Sequence, residues 1–323
     1  MQILGTGSAL PEKIVTNIDI AKIVDTDDEW IKDRTGIAQR HISTGDTVAS
    51  LAAKACERAL DNAGKKAEDV ELIILASCSP EIMIPCVACQ VQDKIGAVNA
   101  VAFDLNAACS GFLFALNTVN AYMSAGIYKN ALVIGAEVLS KIVDWSDRNT
   151  CILFGDGAGA VYVEASENDG LYSFVQHANG AKGSVLECGT RELSNPFMDE
   201  KNDEEVFPKY IGMDGREIFK FAVGQIPICI NEVLEKTTIN ADEIDYFVLH
   251  QANLRIISSI AKRLNQDMEK FPSNVEKVGN MSSASIPVLL DEMNRKNMLK
   301  RGMKIVMSGF GAGLTYGATV LTW

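Results

Sequence analysis

Three residues of this chain are of types that can carry nucleophilic and hydrogen-bonding chemistry, a cysteine, a histidine and an asparagine, each at the edge of a regular element. Cys109 lies in Phe103-Asp104-Leu105-Asn106-Ala107-Ala108-Cys109-Ser110-Gly111-Phe112, where a strand-like run turns through small residues into an apolar helix. A thiol at a helix N-terminus meets free N–H groups and the positive end of the helix dipole, which favour thiolate and offer an oxyanion hole. The small neighbours leave room for a substrate carbonyl. A packed core cysteine gives the same local pattern. His250 closes the strand-like Tyr246-Phe247-Val248-Leu249, the end of a strand at which α/β proteins place ligand chemistry. Asn280 sits in the polar turn Gly279-Asn280-Met281-Ser282-Ser283 ahead of a helix. Taken singly, His250 reads as a structural histidine and Asn280 as a turn or cap residue.

The elements that must position them alternate. Glu71–Ala76, Val101–Leu105, Ala131–Gly135 and Tyr246–Leu249 read as buried strands, and Val48–Ala63, Glu217–Lys236, Arg255–Leu264 and Ile286–Met293 as helices. Strands alternating with helices predict an α/β fold with largely buried sheets. Two motif pairs recur in the same order. Glu68-Asp69-Val70-Glu71 before one strand matches Asp242-Glu243-Ile244-Asp245 before another. Phe154-Gly155-Asp156-Gly157-Ala158-Gly159-Ala160 matches Gly309-Phe310-Gly311-Ala312-Gly313. They predict two similar halves, residues 1–165 carrying the cysteine and 166–323 carrying the histidine and asparagine. The polar stretch 193–210, with two prolines, reads as a surface excursion of the second half.

Other chemistries fail on spacing. Gly155-Asp156-Gly157-Ala158-Gly159 is followed by a strand-like segment, where a dinucleotide loop needs a helix. Its glycines read as permitting a tight turn and close backbone packing. Cys86-Val87-Ala88-Cys89 is a lone CxxC, and His41, His177 and His250 are scattered, so no metal site is expected and these cysteines read as buried and structural. A net charge of -12 disfavours nucleic acid as a general partner. No apolar run reaches the roughly 18 residues of a spanning helix, so no membrane association is expected. The opening Met1-Gln2-Ile3-Leu4-Gly5 lacks a signal-peptide pattern, and eight cysteines spread along a long chain suit a reducing, cytoplasmic compartment.

The combination resembles the thiolase-like condensing enzymes, and within them beta-ketoacyl-carrier-protein synthase III. The resemblance runs nearly end to end: Gly5-Thr6-Gly7-Ser8-Ala9-Leu10-Pro11, Asp28-Glu29-Trp30-Ile31, Arg34-Thr35-Gly36-Ile37, the cysteine motif, the two glycine-rich motifs, His250-Gln251-Ala252-Asn253-Leu254-Arg255-Ile256 and Gly279-Asn280 with Ser283-Ala284-Ser285-Ile286-Pro287. It implies a thiolase-like fold of two duplicated mixed-sheet α/β halves in five layers, αβαβα. It implies that Cys109 carries the acyl group of an acyl-CoA and that His250 and Asn280 hydrogen-bond the thioester of malonyl-carrier protein. The Cys109 and Ala312 backbone N–H groups would form the oxyanion hole. Trp30, Arg34 and Arg148 would contact CoA, with Asn149 beside Arg148 a departure from the glycine of some members. Phe219, Ala252 and Asn253 would line the pantetheine tunnel. Lys220, Arg255, Lys262 and Arg263 would dock the acidic acyl carrier protein. Ile84 would close the acyl pocket of the partner in a homodimer. No resident cofactor is implied. A paralogue of specialised metabolism, making a quinolone or polyketide starter, would keep the same three residues.

Overall fold

The computed structural model describes residues 1–166, 170–190, 196–197 and 207–323. Most of the 193–210 excursion lies outside them.

Nine strands form two mixed sheets. The first contains β1 (Gln2–Ala9), β2 (Leu72–Ala76), β3 (Val101–Leu105), β4 (Asn130–Glu137) and β5 (Gly157–Glu164), in the order β1-β5-β4-β2-β3. β2 runs parallel to both β3 and β4, and β5 is antiparallel to β1 and β4. The second contains β6 (Tyr172–Ala178), β7 (Tyr246–Leu249), β8 (Lys304–Gly311) and β9 (Thr315–Thr322), in the order β7-β8-β9-β6.

Side-chain alternation along the strands sorts the layers. On β2, Leu72, Ile74 and Ala76 face a core shared with Val248, Ile305 and Met307 of the second sheet. Two apolar helices fill that core, α4 (Gly111–Ser124) through Phe112, Leu113 and Leu116, and α7 (Ser285–Arg295) through Ile286, Leu289 and Leu290. Ile73 and Leu75, on the other face of β2, pack against α2 (Val48–Ala63) and α3 (Val87–Ile95). α5 (Gly215–Thr237) and α6 (Leu254–Leu264) cover the outer face of the second sheet. The layers therefore run helix, sheet, helix, sheet, helix. A short, largely polar helix, α1 (Asp28–Thr35), stands apart from these layers, with Ile31 and Thr35 buried. Its first turn is capped by the Asp27 carboxylate, which accepts from Trp30 N at 2.7 Å.

The internal duplication is regular. α2 ends at Ala63 and α5 at Thr237; β2 begins at Leu72 and β7 at Tyr246; β4 spans 130–137 and β8 304–311. The 3-10 turn Ala108–Ser110 before α4 matches Ser282–Ala284 before α7, and Ala108 (φ 46°) and Ser282 (φ 47°) open the two turns in the left-handed region. Each pair lies 174 residues apart.

The glycine-rich motifs correct one expectation. Gly157 and Gly159 lie within β5 and Gly309 and Gly311 within β8 rather than in turns. What they permit is close packing. A Cβ on Gly159 would stand 2.6 Å from Val288 N of α7, and one on Gly155 2.3 Å from Val278 O. The turn after β8 falls instead at Ala312–Leu314, where Gly313 has φ 127°.

Candidate active site

Cys109 occupies the turn between β3 and α4, as its sequence setting predicts, and is 8% exposed. The second half holds this turn from behind. Thr315 Oγ1 donates to Ala107 O at 2.9 Å and lies 2.6 Å from Ser110 Oγ. Gly311 approaches so closely that a Cβ there would sit 2.5 Å from Cys109 N. The thiol's environment differs from the thiolate-favouring one expected. Burial pushes Cys109 up to about 12, and the buried Glu137 adds to the rise, while the Ser282 hydroxyl works against it. A helix terminus contributes up to about 2 kcal/mol, or roughly 1.5 pH units, so burial prevails and the resting group is a thiol.

His250 follows β7, and its backbone N–H donates to Ser308 O at 2.8 Å. Its ring is buried, stands edge-on to Phe310 and has Nδ1 2.6 Å from Ser285 Oγ. Ser285 Oγ also accepts from Gln251 N at 3.4 Å, and among the described residues His250 Nδ1 is the one acceptor for its hydroxyl proton. That places the ring proton on Nε2. Burial lowers the imidazole to about 3, so it is neutral across the physiological range. Asn280 is fixed through its backbone, donating to Leu153 O at 2.9 Å and accepting from Gly155 N. Its Oδ1 accepts from Ser282 N at 2.9 Å. Among the described residues Nδ2 has no partner, so it is available as a donor.

Cys109, His250 and Asn280 line one cavity of ≈ 540 Å³. Trp30, Arg34, Phe219, Ala252 and Asn253 line it too. Asn253 ties two of its walls, with Oδ1 capping α6 and Nδ2 donating to Arg34 O at 3.0 Å. Arg148 lies beside this cavity rather than in its lining, and its neighbour Asn149 takes the lining position. The Arg148 guanidinium sits 4.8 Å from the Trp30 ring centroid, and that of Arg34 5.1 Å, so the indole carries two cations. A second, more apolar cavity of ≈ 220 Å³ opens beyond Cys109, lined by Leu139, Ile142, Phe154, Ile211 and Ala312 among others.

Lys220, Arg255, Lys262 and Arg263 are exposed, the last three along α6. Arg255 lies over the Phe219 ring at 5.9 Å, at the edge of the larger cavity. Ile84, which the resemblance assigns to a partner's pocket, stands outside both cavities of its own chain. It is 87% exposed and lines neither cavity, so within one chain it closes nothing.

Sequence reasoning missed several residues here. Arg216 lines the larger cavity. Buried Glu137 ends β4 and accepts from Ser77, Ser79 and Ser283 hydroxyls and from Cys78 N. Ser285 was visible only as a motif letter. Cys86 and Cys89, expected to be buried, are half-buried, with their sulfurs 3.4 Å apart at the start of α3.

A duplicated five-layer fold with its cysteine in the turn before the central helix of the first half is that of the thiolase-like proteins. Within that class, residues 103–180 match the model for 3-oxoacyl-[acyl-carrier-protein] synthase III, and residues 234–323 match that for its C-terminal part. The beta-ketoacyl-[acyl-carrier-protein] synthase III of Clostridium acetobutylicum is 51% identical over 323 residues, covering 100% of this chain and 98% of that protein. The crystal structure of 3-oxoacyl-[acyl-carrier-protein] synthase III from Aquifex aeolicus superposes with a TM-score of 0.92 at 43% identity, covering 100% of this chain and 99% of that one. The priming beta-ketosynthase of the R1128 polyketide pathway has a TM-score of 0.91 at 32% identity, covering 99% and 95%. The chain belongs to the 3-oxoacyl-[acyl-carrier-protein] synthase III family, whose members are acyltransferases.

Proposed function

We propose that this protein condenses a short-chain acyl-CoA with malonyl-acyl carrier protein, giving 3-ketoacyl-carrier protein, CoA and CO2 and so initiating fatty acid synthesis. The observation that carries this reading is the convergence of Cys109, His250 and Asn280 on one cavity whose other lining includes Trp30 and Arg34. In the first half-reaction the Cys109 sulfur attacks the acyl-CoA carbonyl, the oxyanion is held by the Cys109 and Ala312 N–H groups, and the thiol proton leaves with CoA. In the second, the malonyl thioester loses CO2, and the resulting enolate oxygen takes hydrogen bonds from His250 Nε2 and Asn280 Nδ2. Donors fixed before charge develops are what such a step needs. The enolate carbon then attacks the acyl-Cys109 carbonyl, the bond from that carbonyl to sulfur breaks, and the departing cysteine thiolate takes one proton from solvent. Side chains and backbone groups supply every role in this sequence, so it calls for no resident cofactor.

The indole of Trp30 with its two guanidinium groups suits the adenine and phosphates of CoA. A stacked adenine needs about 3.5 Å on each face, so one arginine swings aside on binding. The smaller apolar cavity beyond Cys109 fits a short acyl chain. The exposed cations of α6, together with Lys220, suit an acidic carrier protein.

A homodimer is part of this reading. β3 is an open edge strand whose Val101 is 50% exposed, and Ile82, Met83 and Ile84 are exposed as well. Pairing that edge with a second copy would cover it and give Ile84 a partner's acyl pocket to close. A cytoplasmic location is supported by eight free cysteines, and no described helix is long and apolar enough to cross a membrane.

The test is carbon dioxide release from malonyl-carrier protein with acetyl-CoA present, scored against free malonyl-CoA. Preference for the carrier-bound substrate supports the proposal. Preference for free malonyl-CoA would favour the specialised-pathway reading. That reading is not favoured by the relatives, since those at 45–51% identity are named as carrier-protein synthases and the polyketide priming enzyme is at 32%.

A further inference from the structure

We propose that His177, Cys229 and Glu232 form a zinc-binding site on the outer side of the second half, apart from the condensing centre. His177 lies near the end of β6, and Cys229 and Glu232 lie three residues apart on α5. Such spacing puts both on one face of the helix. One ring nitrogen, one sulfur and one carboxylate oxygen all lie within 4.8 Å of one another. His177 Nε2 is already 2.8 Å from Glu232 Oε2.

The donor set selects the ion. Nitrogen, sulfur and oxygen together suit borderline-soft zinc rather than the all-oxygen preference of magnesium or calcium. Bond lengths of about 2.0–2.3 Å place tetrahedral ligands about 3.3–3.8 Å apart, so on binding the widest separation closes by about 1 Å and the His177–Glu232 pair opens by about 0.5 Å. Side-chain rotation at the two half-buried residues supplies that. Cys229 is 1% exposed and forms the floor, while His177 and Glu232 are open to solvent, giving an entry path and a fourth position for water. On binding, the Cys229 thiol releases one proton to solvent. Thiolate and carboxylate then offset the charge of the ion, so no net charge is left at the protein's edge.

The surroundings are ordered for the task. The Tyr316 ring lies 5.3 Å from that of His177 at a 33° tilt and limits its swing. Phe221, which lines the larger cavity, stands edge-on to Tyr316 at 5.0 Å. An ion here would clamp β6 to α5 one aromatic layer behind the chamber wall. The alternative is an ordinary exposed His177–Glu232 pair, which binds no metal.

The test is titration of chelator-stripped protein with cobalt(II) as a spectroscopic stand-in, followed by competition with zinc. We expect a thiolate-to-cobalt charge-transfer band that zinc removes. Cys229→Ser should abolish the band, and His177→Gln should weaken binding by more than the roughly 10–100-fold expected for a merely supporting group. Cys109→Ala and the double Cys86→Ser/Cys89→Ser variant should leave the band intact, which excludes the reactive cysteine and the CxxC pair. Zinc should raise the thermal midpoint of the wild type and not that of His177→Gln, whose half-exposed site leaves the core untouched. Absence of the band in the wild type, or its persistence in Cys229→Ser, would overturn the proposal. Neither result bears on the condensation reaction.

Discussion

Ser285 Oγ lies 2.6 Å from His250 Nδ1, the one acceptor for its proton among the described residues, so the serine donates to the ring and leaves His250 Nε2 as the protonated nitrogen. The hydroxyl thereby chooses the tautomer that can stabilise an enolate oxygen. Replacing Ser285 with Ala frees the ring to adopt the other tautomer. Decarboxylation and condensation should fall about 10–100-fold, below the 10²–10³-fold cost of deleting an oxyanion donor outright. Acylation from acyl-CoA should persist. Single-turnover measurement of the two half-reactions checks this, and an equal loss in both would contradict it.

The same burial makes His250 a stability switch in acid. Its folded-state value of about 3 lies well below the ordinary 6.5, so between these the unfolded chain holds a proton that the folded chain excludes. Stability is therefore lost as pH falls from about 6.5 toward 3, by roughly 1.4 kcal/mol per pH unit from this group. Between pH 6.5 and 5 the wild type should lose about 2 kcal/mol more than His250→Gln in urea titrations. Parallel losses in the two proteins would refute the assignment.

Gly311 is a contact that no side chain can replace. Its extended backbone would accept any residue, but an added Cβ meets Cys109 N at 2.5 Å and Cys109 Cα at 3.1 Å. Backbone cannot yield as a side-chain tip can. Gly311→Ala should destabilise the fold by about 1–3 kcal/mol. Displacing the Cys109 turn by 1 Å should also slow acylation about 10²-fold. Thermal melting and the rate of covalent acyl capture measure the two effects. Unchanged capture would show that the close approach does not set the cysteine's position.

The landmarks of this site were legible because strand ends and turn residues are local signals. The bounds of helix 48–63 and of strands 101–105 and 246–249 match the structure residue for residue, but 101–105, read as buried, is an edge strand with none of its side chains fully buried. Cys109, His250 and Asn280 each stood at such an end, and the repeat at 174 residues showed through one short motif pair, 68–71 with 242–245, whereas the glycine-rich pair falls on β5 and β8, strands that the repeat does not relate. What stayed hidden depends on packing between segments. Glu137 gathers donors from residues 77–79 and 283, and nothing near it in sequence marks a buried carboxylate. The thiol's shift toward about 12 arises from burial by both halves, which a helix-terminus argument on residues 103–116 cannot weigh. His177 is 55 residues from Glu232, and only the β6–α5 contact joins them.

Charge reversal at Arg255 separates docking from chemistry. Arg255 is exposed at the start of α6 and lies over Phe219. Arg255→Glu should raise KM for malonyl-carrier protein at least about tenfold, equivalent to about 1.4 kcal/mol, with kcat near wild type. The wild-type KM should itself climb with salt, and that of the variant much less. Acylation by acyl-CoA should be unaffected. A KM that stays at the wild-type value would move the docking surface elsewhere.

The account stands on Cys109 as the residue that carries the acyl group, and intact-mass measurement after brief exposure to a mixture of acyl-CoAs tests that directly. The wild type should gain the mass of one acyl group per chain, lost again when malonyl-carrier protein is added, and the mass gained identifies the preferred primer. Cys109→Ala should gain nothing. A wild-type protein that gains no mass, or a Cys109→Ala variant that still does, would contradict the account.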